Sequence, residues 1–73
     1  MKMERTPVES RNLASVGFDP DSLTLEVEFQ KGGIYQYFGV PEYVYQDLLR
    51  AGSKGTYFAQ NIKKSGYPYS KVG

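Results

Sequence analysis

The sequence predicts an α+β fold: a three-stranded antiparallel β-meander followed by two short α-helices packed on one face. Three features of the 73-residue chain carry that expectation. "LTLEVEF" at 23–29 alternates apolar and polar residues without a break. "QKGG" supplies glycine for a hairpin into "IYQYF". Pro41 then precedes apolar side chains spaced at i, i+4, the stripe of a helix that buries one side.

Side chains alternate across a strand, so Leu23, Leu25, Val27 and Phe29 share one face, with Thr24, Glu26 and Glu28 on the other. Before this strand, "NLASVGFD" is rich in β-branched and aromatic residues and ends at "DPDS", whose Asp and Pro favour a turn. This predicts an earlier antiparallel strand over about 12–18. The facing of the third strand depends on the hairpin loop. A loop of two or four residues puts Ile34 and Phe38 with Leu25 and Phe29, and leaves Tyr35 and Tyr37 outside with Glu26 and Glu28; a loop of three or five reverses this. The even loop is preferred because it keeps Ile34 and Phe38 inside at the cost of partly burying only Gln36, so Tyr35 and Tyr37 are expected to look away from the helices. Proline suits the first helical position, which opens a helix over roughly 41–51 with Val44 stacked on Leu48 and Tyr45 on Leu49. Gly52 stops it, and Ser53 caps a second helix over roughly 54–64 with Phe58 and Ile62 as its apolar stripe. "YPYSKVG" reads as an extended tail whose tyrosines can fold back. The expected organisation is a flexible segment over 1–9, one domain over 10–69 and a tail over 70–73. The expected core is Leu13, Val16, Phe18, Leu23, Leu25, Val27, Phe29, Ile34, Phe38, Val44, Leu48, Leu49, Phe58 and Ile62.

A domain this small buries only roughly 60% of the surface its unfolded chain exposes. Some of the seven tyrosines must therefore be buried, either in the core or at an oligomer interface. The chain has no Cys, His or Trp, which removes the thiolate and imidazole ligands of zinc and the commonest nucleophiles and bases. No run of acids and amides resembles a calcium loop, so no cofactor is expected. "MKMERTPVESRN" is charged, and no stretch approaches the roughly 20 apolar residues that cross a bilayer, which predicts a soluble, cytoplasmic protein without a membrane partner. The net charge of +1 hides an asymmetry. Residues 1–47 hold all eight acids against four bases, a net of −4; residues 48–73 hold five bases and no acid, a net of +5.

The succession "SVGFD", "LTLEVEF", "GGIYQYFGVPEYVYQDLLRAGSKGTYF" and "NIKKSGYPY" resembles the KTSC domain, a family of about sixty residues found alone in bacterial proteins and at the carboxyl end of some lysyl-tRNA synthetases. Its Tyr-x-Tyr is met by Tyr35 and Tyr37, its Val-Pro by Val40 and Pro41, and its Ala-x-Ser-x-Gly by Ala51, Ser53 and Gly55. The resemblance runs from about residue 10 to residue 69. It implies a fold unit and, through attachment to a synthetase, contact with RNA; it implies no particular catalytic activity.

Three groups of residues are candidates for binding. Tyr35 and Tyr37 on an exposed sheet face can stack nucleobases, as single-strand modules do. The same pair can equally serve as cross-strand packing or as an interface, and Glu26 and Glu28 beside it would repel phosphate. "AGSKGTYF" places Ser53, Lys54, Gly55 and Thr56 at a helix start, where backbone N–H groups favour anions, although plain capping explains Ser53 as well. Arg50, Lys63, Lys64 and Lys71, interleaved with Tyr57, Tyr67 and Tyr69, form a basic aromatic region suited to a nucleic-acid strand or to a solvated surface. Catalysis has little behind it: Glu26 and Glu28 read as the wet side of a strand. The sequence thus points to a non-enzymatic module for a nucleotide-type ligand, with single-stranded RNA leading. A small homo-oligomer enclosing a nucleotide and a protein-interaction module are the alternatives.

Overall fold

A computed structural model describes residues 4–73 of the chain. It is α+β, as expected, but its antiparallel sheet has five strands in sequential order rather than three. They are β1 (Thr6–Pro7), β2 (Leu13–Asp19), β3 (Thr24–Phe29), β4 (Ile34–Phe38) and β5 (Tyr69–Lys71). Of the segment read as flexible, residues 1–3 lie outside the described residues and Thr6–Pro7 pair with Val16 and Ser15. The chain after Pro68 returns as an edge strand, pairing Tyr69 with Tyr37 and Lys71 with Tyr35.

Two helices, α1 (Glu42–Arg50) and α2 (Lys54–Phe58), cover one face, and α2 continues into a wider π turn over Ala59–Lys63. Pro41 sits one residue before α1 in extended geometry, and its carbonyl accepts the Val44 N–H at 3.0 Å. Ser53 caps α2 as expected, its Oγ accepting the Thr56 N–H at 3.4 Å. Leu13, Val16, Leu25 and Val27 from the sheet meet Val44 and Leu48 of α1 and Phe58 and Ile62 of the second helix in the core. Phe18 stacks on Tyr45 of α1 with ring centroids 5.3 Å apart.

The facing of β4 corrects the sequence reading. Leu25 pairs with Tyr37 and Val27 with Tyr35, so both tyrosines lie on the helix-covered face. The cause is the loop, which has three residues. Phe29 donates to the Gly33 carbonyl at 3.1 Å and accepts from Gly32 at 3.0 Å, while Gly32 takes a φ of 104° that glycine alone adopts easily. One residue fewer than a four-residue loop turns every side chain of β4 over. Ile34 and Phe38 are consequently outside the core cluster, on the face that carries Glu26 and Glu28. Tyr37 replaces them, 6% exposed, and Val40, just before the first helix, is wholly buried.

Leu23 is a second correction. It lies in the β2–β3 turn with φ 55° and is 41% exposed. The turn is organised by Asp19, whose carboxylate accepts from the Ser22 hydroxyl at 2.9 Å and the Asp21 N–H at 3.0 Å. These bonds, Ser22's foremost, hold its carboxyl below the usual range. The strand therefore starts at Thr24, not Leu23.

Candidate ligand-binding cleft

The turned-over β4 builds an aromatic basin between the sheet and the second helix. Five rings form a closed circuit. Phe29 meets Tyr35 edge-on at 5.5 Å, Tyr35 meets Tyr69 at 6.1 Å, and Tyr69 meets Tyr37 at 5.4 Å. Tyr37 meets Phe58 at 5.4 Å and Phe58 returns to Phe29 at 5.4 Å, both edge-on, the geometry that aromatic quadrupoles favour. The strand period explains the arrangement: Phe29, Tyr35, Tyr37 and Tyr69 share one face through the β3–β4 and β4–β5 registers, and Phe58 descends onto them from α2.

This circuit lines a cleft of about 650 Å³. Lys31 from the hairpin and Lys63 from the π turn border it, and among the described residues no Asp or Glu lines it. The floor is fixed and the rim is free: Tyr37 is buried, whereas Tyr69 is 63% exposed. Burial, with smaller contributions from Tyr69 and Tyr35, raises the Tyr37 phenol above its ordinary pKa of 10.0. It is thus a neutral hydroxyl near pH 7.

The acids expected beside the tyrosines are on the far side of the sheet. Glu26, 9% exposed, accepts from Gln36 Nε2 at 2.8 Å and lies 3.4 Å from Arg5, whose Nη1 is buried without a directed hydrogen bond among the described residues. Ser15 Oγ donates to Glu28 at 2.9 Å. The sheet therefore separates these carboxylates from the aromatic face.

The structure sorts the sequence candidates. Tyr35, Tyr37, Gly55, Lys63, Tyr67 and Tyr69 come together in the cleft. Ser53, Lys54 and Thr56, with Gly55, line a second, smaller depression of about 440 Å³. There Ser53 and Thr56 bond each other at 2.9 Å, and Lys54 Nζ donates to the Ala51 carbonyl at 3.2 Å, closing the end of α1. Arg50 is held by Asp47 at 2.8 Å, and Lys64 is exposed; neither lines the cleft. Tyr57 is half-buried against the core, and burial first, then the neighbouring Asp47, raises its phenol. Asn12, Phe29 and Lys31 are cleft residues the sequence reading missed. A three-residue hairpin, had it been chosen, would have found Phe29 and Lys31.

Among the described residues no helix is long and apolar enough to cross a membrane. A protein of Stutzerimonas stutzeri (strain A1501) is 43% identical over 70 residues, spanning 96% of this chain and 99% of that one. A lysine–tRNA ligase of Nostoc sp. (strain PCC 7120) is 48% identical over 46 residues, 63% of this chain and 8% of the ligase. The crystal structure of a KTSC domain protein from Yersinia pestis superposes with a TM-score of 0.92 at 43% identity, over 99% of this chain and 100% of that one. The KTSC domain itself matches residues 9–67, and the chain belongs to the KTSC domain family.

Proposed function

We propose that the protein is a non-enzymatic module that binds single-stranded RNA by admitting an unpaired base to the aromatic cleft. The observation that carries this reading is the closed circuit of rings opening between two lysines with no carboxylate lining the space. Ligand sites run to roughly 300–1,000 Å³, so a cleft of about 650 Å³ accommodates one nucleotide. Tyr69 and Tyr35 offer ring faces for stacking, Tyr37 forms the wall behind them, and Lys31 and Lys63 meet the flanking phosphates. Lys64, the residue after the π turn, is exposed and does not line the cleft, so it is not among these contacts. Placing Glu26 and Glu28 behind the sheet removes the repulsion that counted against phosphate. The similarity to a segment of a protein named for tRNA adds support, and a cytoplasmic setting follows from the ligand.

Fluorescence anisotropy with an eight-nucleotide RNA tests this. Two phosphate contacts give a log–log salt slope of about −1.4 at ~0.7 per contact, so affinity falls about sevenfold between 50 and 200 mM salt. Equal binding of free mononucleotides would move the protein to the enclosed-nucleotide class, in which a homo-oligomer is expected. Absence of RNA binding at 50 mM salt would refute the reading.

A further inference from the structure

We propose that the Tyr37 hydroxyl is the hydrogen-bond anchor of the aromatic cleft, donating to an acceptor on the edge of the stacked base. This rests on the RNA-binding reading above. Tyr37 is 6% exposed, and its hydroxyl has no hydrogen-bond partner among the described residues. Arg5 Nη1 is the one fully enclosed side-chain polar atom without a partner among those residues. The Tyr37 oxygen is therefore not sealed in the core: it reaches open space, and Tyr37 lines the cleft. Burial first, then the Tyr69 and Tyr35 phenols, raises its pKa, which puts its oxygen in the neighbourhood of theirs, and both of those rings line the same cleft.

Packing alone does not call for a hydroxyl at this position. Phe58, which meets Tyr37 edge-on at 5.4 Å, is 4% exposed and fills its share of the same core with a bare ring. A hydroxyl on a buried ring is destabilising until something bonds it, and buried tyrosines ordinarily find that partner within the protein. At Tyr37 the place for the partner is the cleft. A wall of aromatic rings also suits a quaternary ammonium group. Lys31 and Lys63 border this one with no carboxylate among the described residues to offset them, which disfavours a cation. A neutral ring with an anionic tail fits: the ring stacks on Tyr69 and Tyr35, and its inner edge reaches the phenol. Every unpaired base carries at least one acceptor on an edge, so this anchor serves all of them.

The test measures anisotropy at 50 mM salt with the full chain, Tyr37→Phe and, as a control on exposed α1 surface, Tyr43→Phe. The probes are octameric oligo(A), oligo(U) and oligo(C) RNAs and a fourth octamer whose bases are replaced by phenyl rings, which stack but accept no hydrogen bond. Tyr37→Phe should weaken the three RNAs about fivefold each, the share of one hydrogen bond, and should bind the phenyl octamer as the parent does. It should also melt no lower than the parent, and Tyr43→Phe should change nothing. Unchanged RNA affinity in Tyr37→Phe, an equal loss on the phenyl octamer, or a clearly lower melting temperature would overturn the anchor and leave RNA binding standing. Failure of the parent chain to bind any of the three RNAs would overturn both.

Discussion

Tyr37 and Tyr69 face each other across the β4–β5 pair with ring centroids 5.4 Å apart, yet their substitution should have opposite consequences. Tyr37 is 6% exposed and packs edge-on against Phe58. Removing a buried aromatic ring costs about 3–5 kcal/mol. A domain of 73 residues at roughly 0.05–0.15 kcal/mol per residue has about 4–11 kcal/mol in total, so Tyr37→Ala should consume about a quarter of it or more. With a urea dependence of about 1 kcal/mol per molar, the unfolding midpoint should fall by about 3 M or vanish. Tyr69 is 63% exposed and has two ring neighbours, each pair worth about 0.5–1.5 kcal/mol, with the solvent-facing half of the ring contributing nothing. Tyr69→Ala should therefore lower the midpoint by only about 1 M. Its RNA affinity should fall by the stacking of one base, about 1–3 kcal/mol, or roughly 5- to 150-fold. Urea denaturation followed by circular dichroism measures the first pair of values and anisotropy the last. A loss below about 1 kcal/mol for Tyr37→Ala would refute the placement of that ring under the second helix.

Burial raises the phenols of Tyr37, Tyr45 and Tyr57, so the folded state holds their protons more tightly than the unfolded chain. Their contribution is full below pH 10 and is lost as pH climbs through the raised values. Melting temperature should be flat from pH 7 to 9 and fall above 10, and titration of phenolate absorbance should show three of the seven tyrosines ionising late. On the opposite face, a side chain on buried Gly17 would collide with the Glu4 carbonyl, a backbone group that cannot swing aside. Gly17→Ala should therefore detach β1 and cost about 1–3 kcal/mol by the overpacking rule, read as a lower urea midpoint with unchanged RNA affinity.

Much of the architecture was legible because it rests on local signals. The alternation in "LTLEVEF", the Pro41 start and the Ser53 cap each act within one turn of chain; the Ser53 cap is where it was expected, and the strand and first helix begin one residue later than read, at Thr24 and Glu42. The facing of β4 was not legible in the same way. It depends on one residue of loop length, and counting Ile34 and Phe38 as core favoured the wrong parity, whereas a left-handed Gly32 sets a three-residue loop. The tyrosines are amphipathic enough to tolerate either face, so composition could not arbitrate. β1 and β5 are two and three residues long, and Pro7 and Pro68 disguise them; only pairing with β2 and β4 makes them strands. The candidate site was half visible. Lys63, Tyr67 and Tyr69 were found through the charge asymmetry of the carboxyl-terminal half, whereas Asn12 enters only because the fold carries the start of β2 against Gly55.

The most direct test is a titration of protein carrying ¹³C-labelled tyrosine rings with oligo(A) RNA, observed by nuclear magnetic resonance. Binding in the cleft predicts that the ring signals of Tyr35, Tyr67 and Tyr69 shift together with one dissociation constant, while exposed Tyr43 on α1 stays in place. Shifts confined to Tyr43 and Tyr45, or none at saturating RNA, would contradict it.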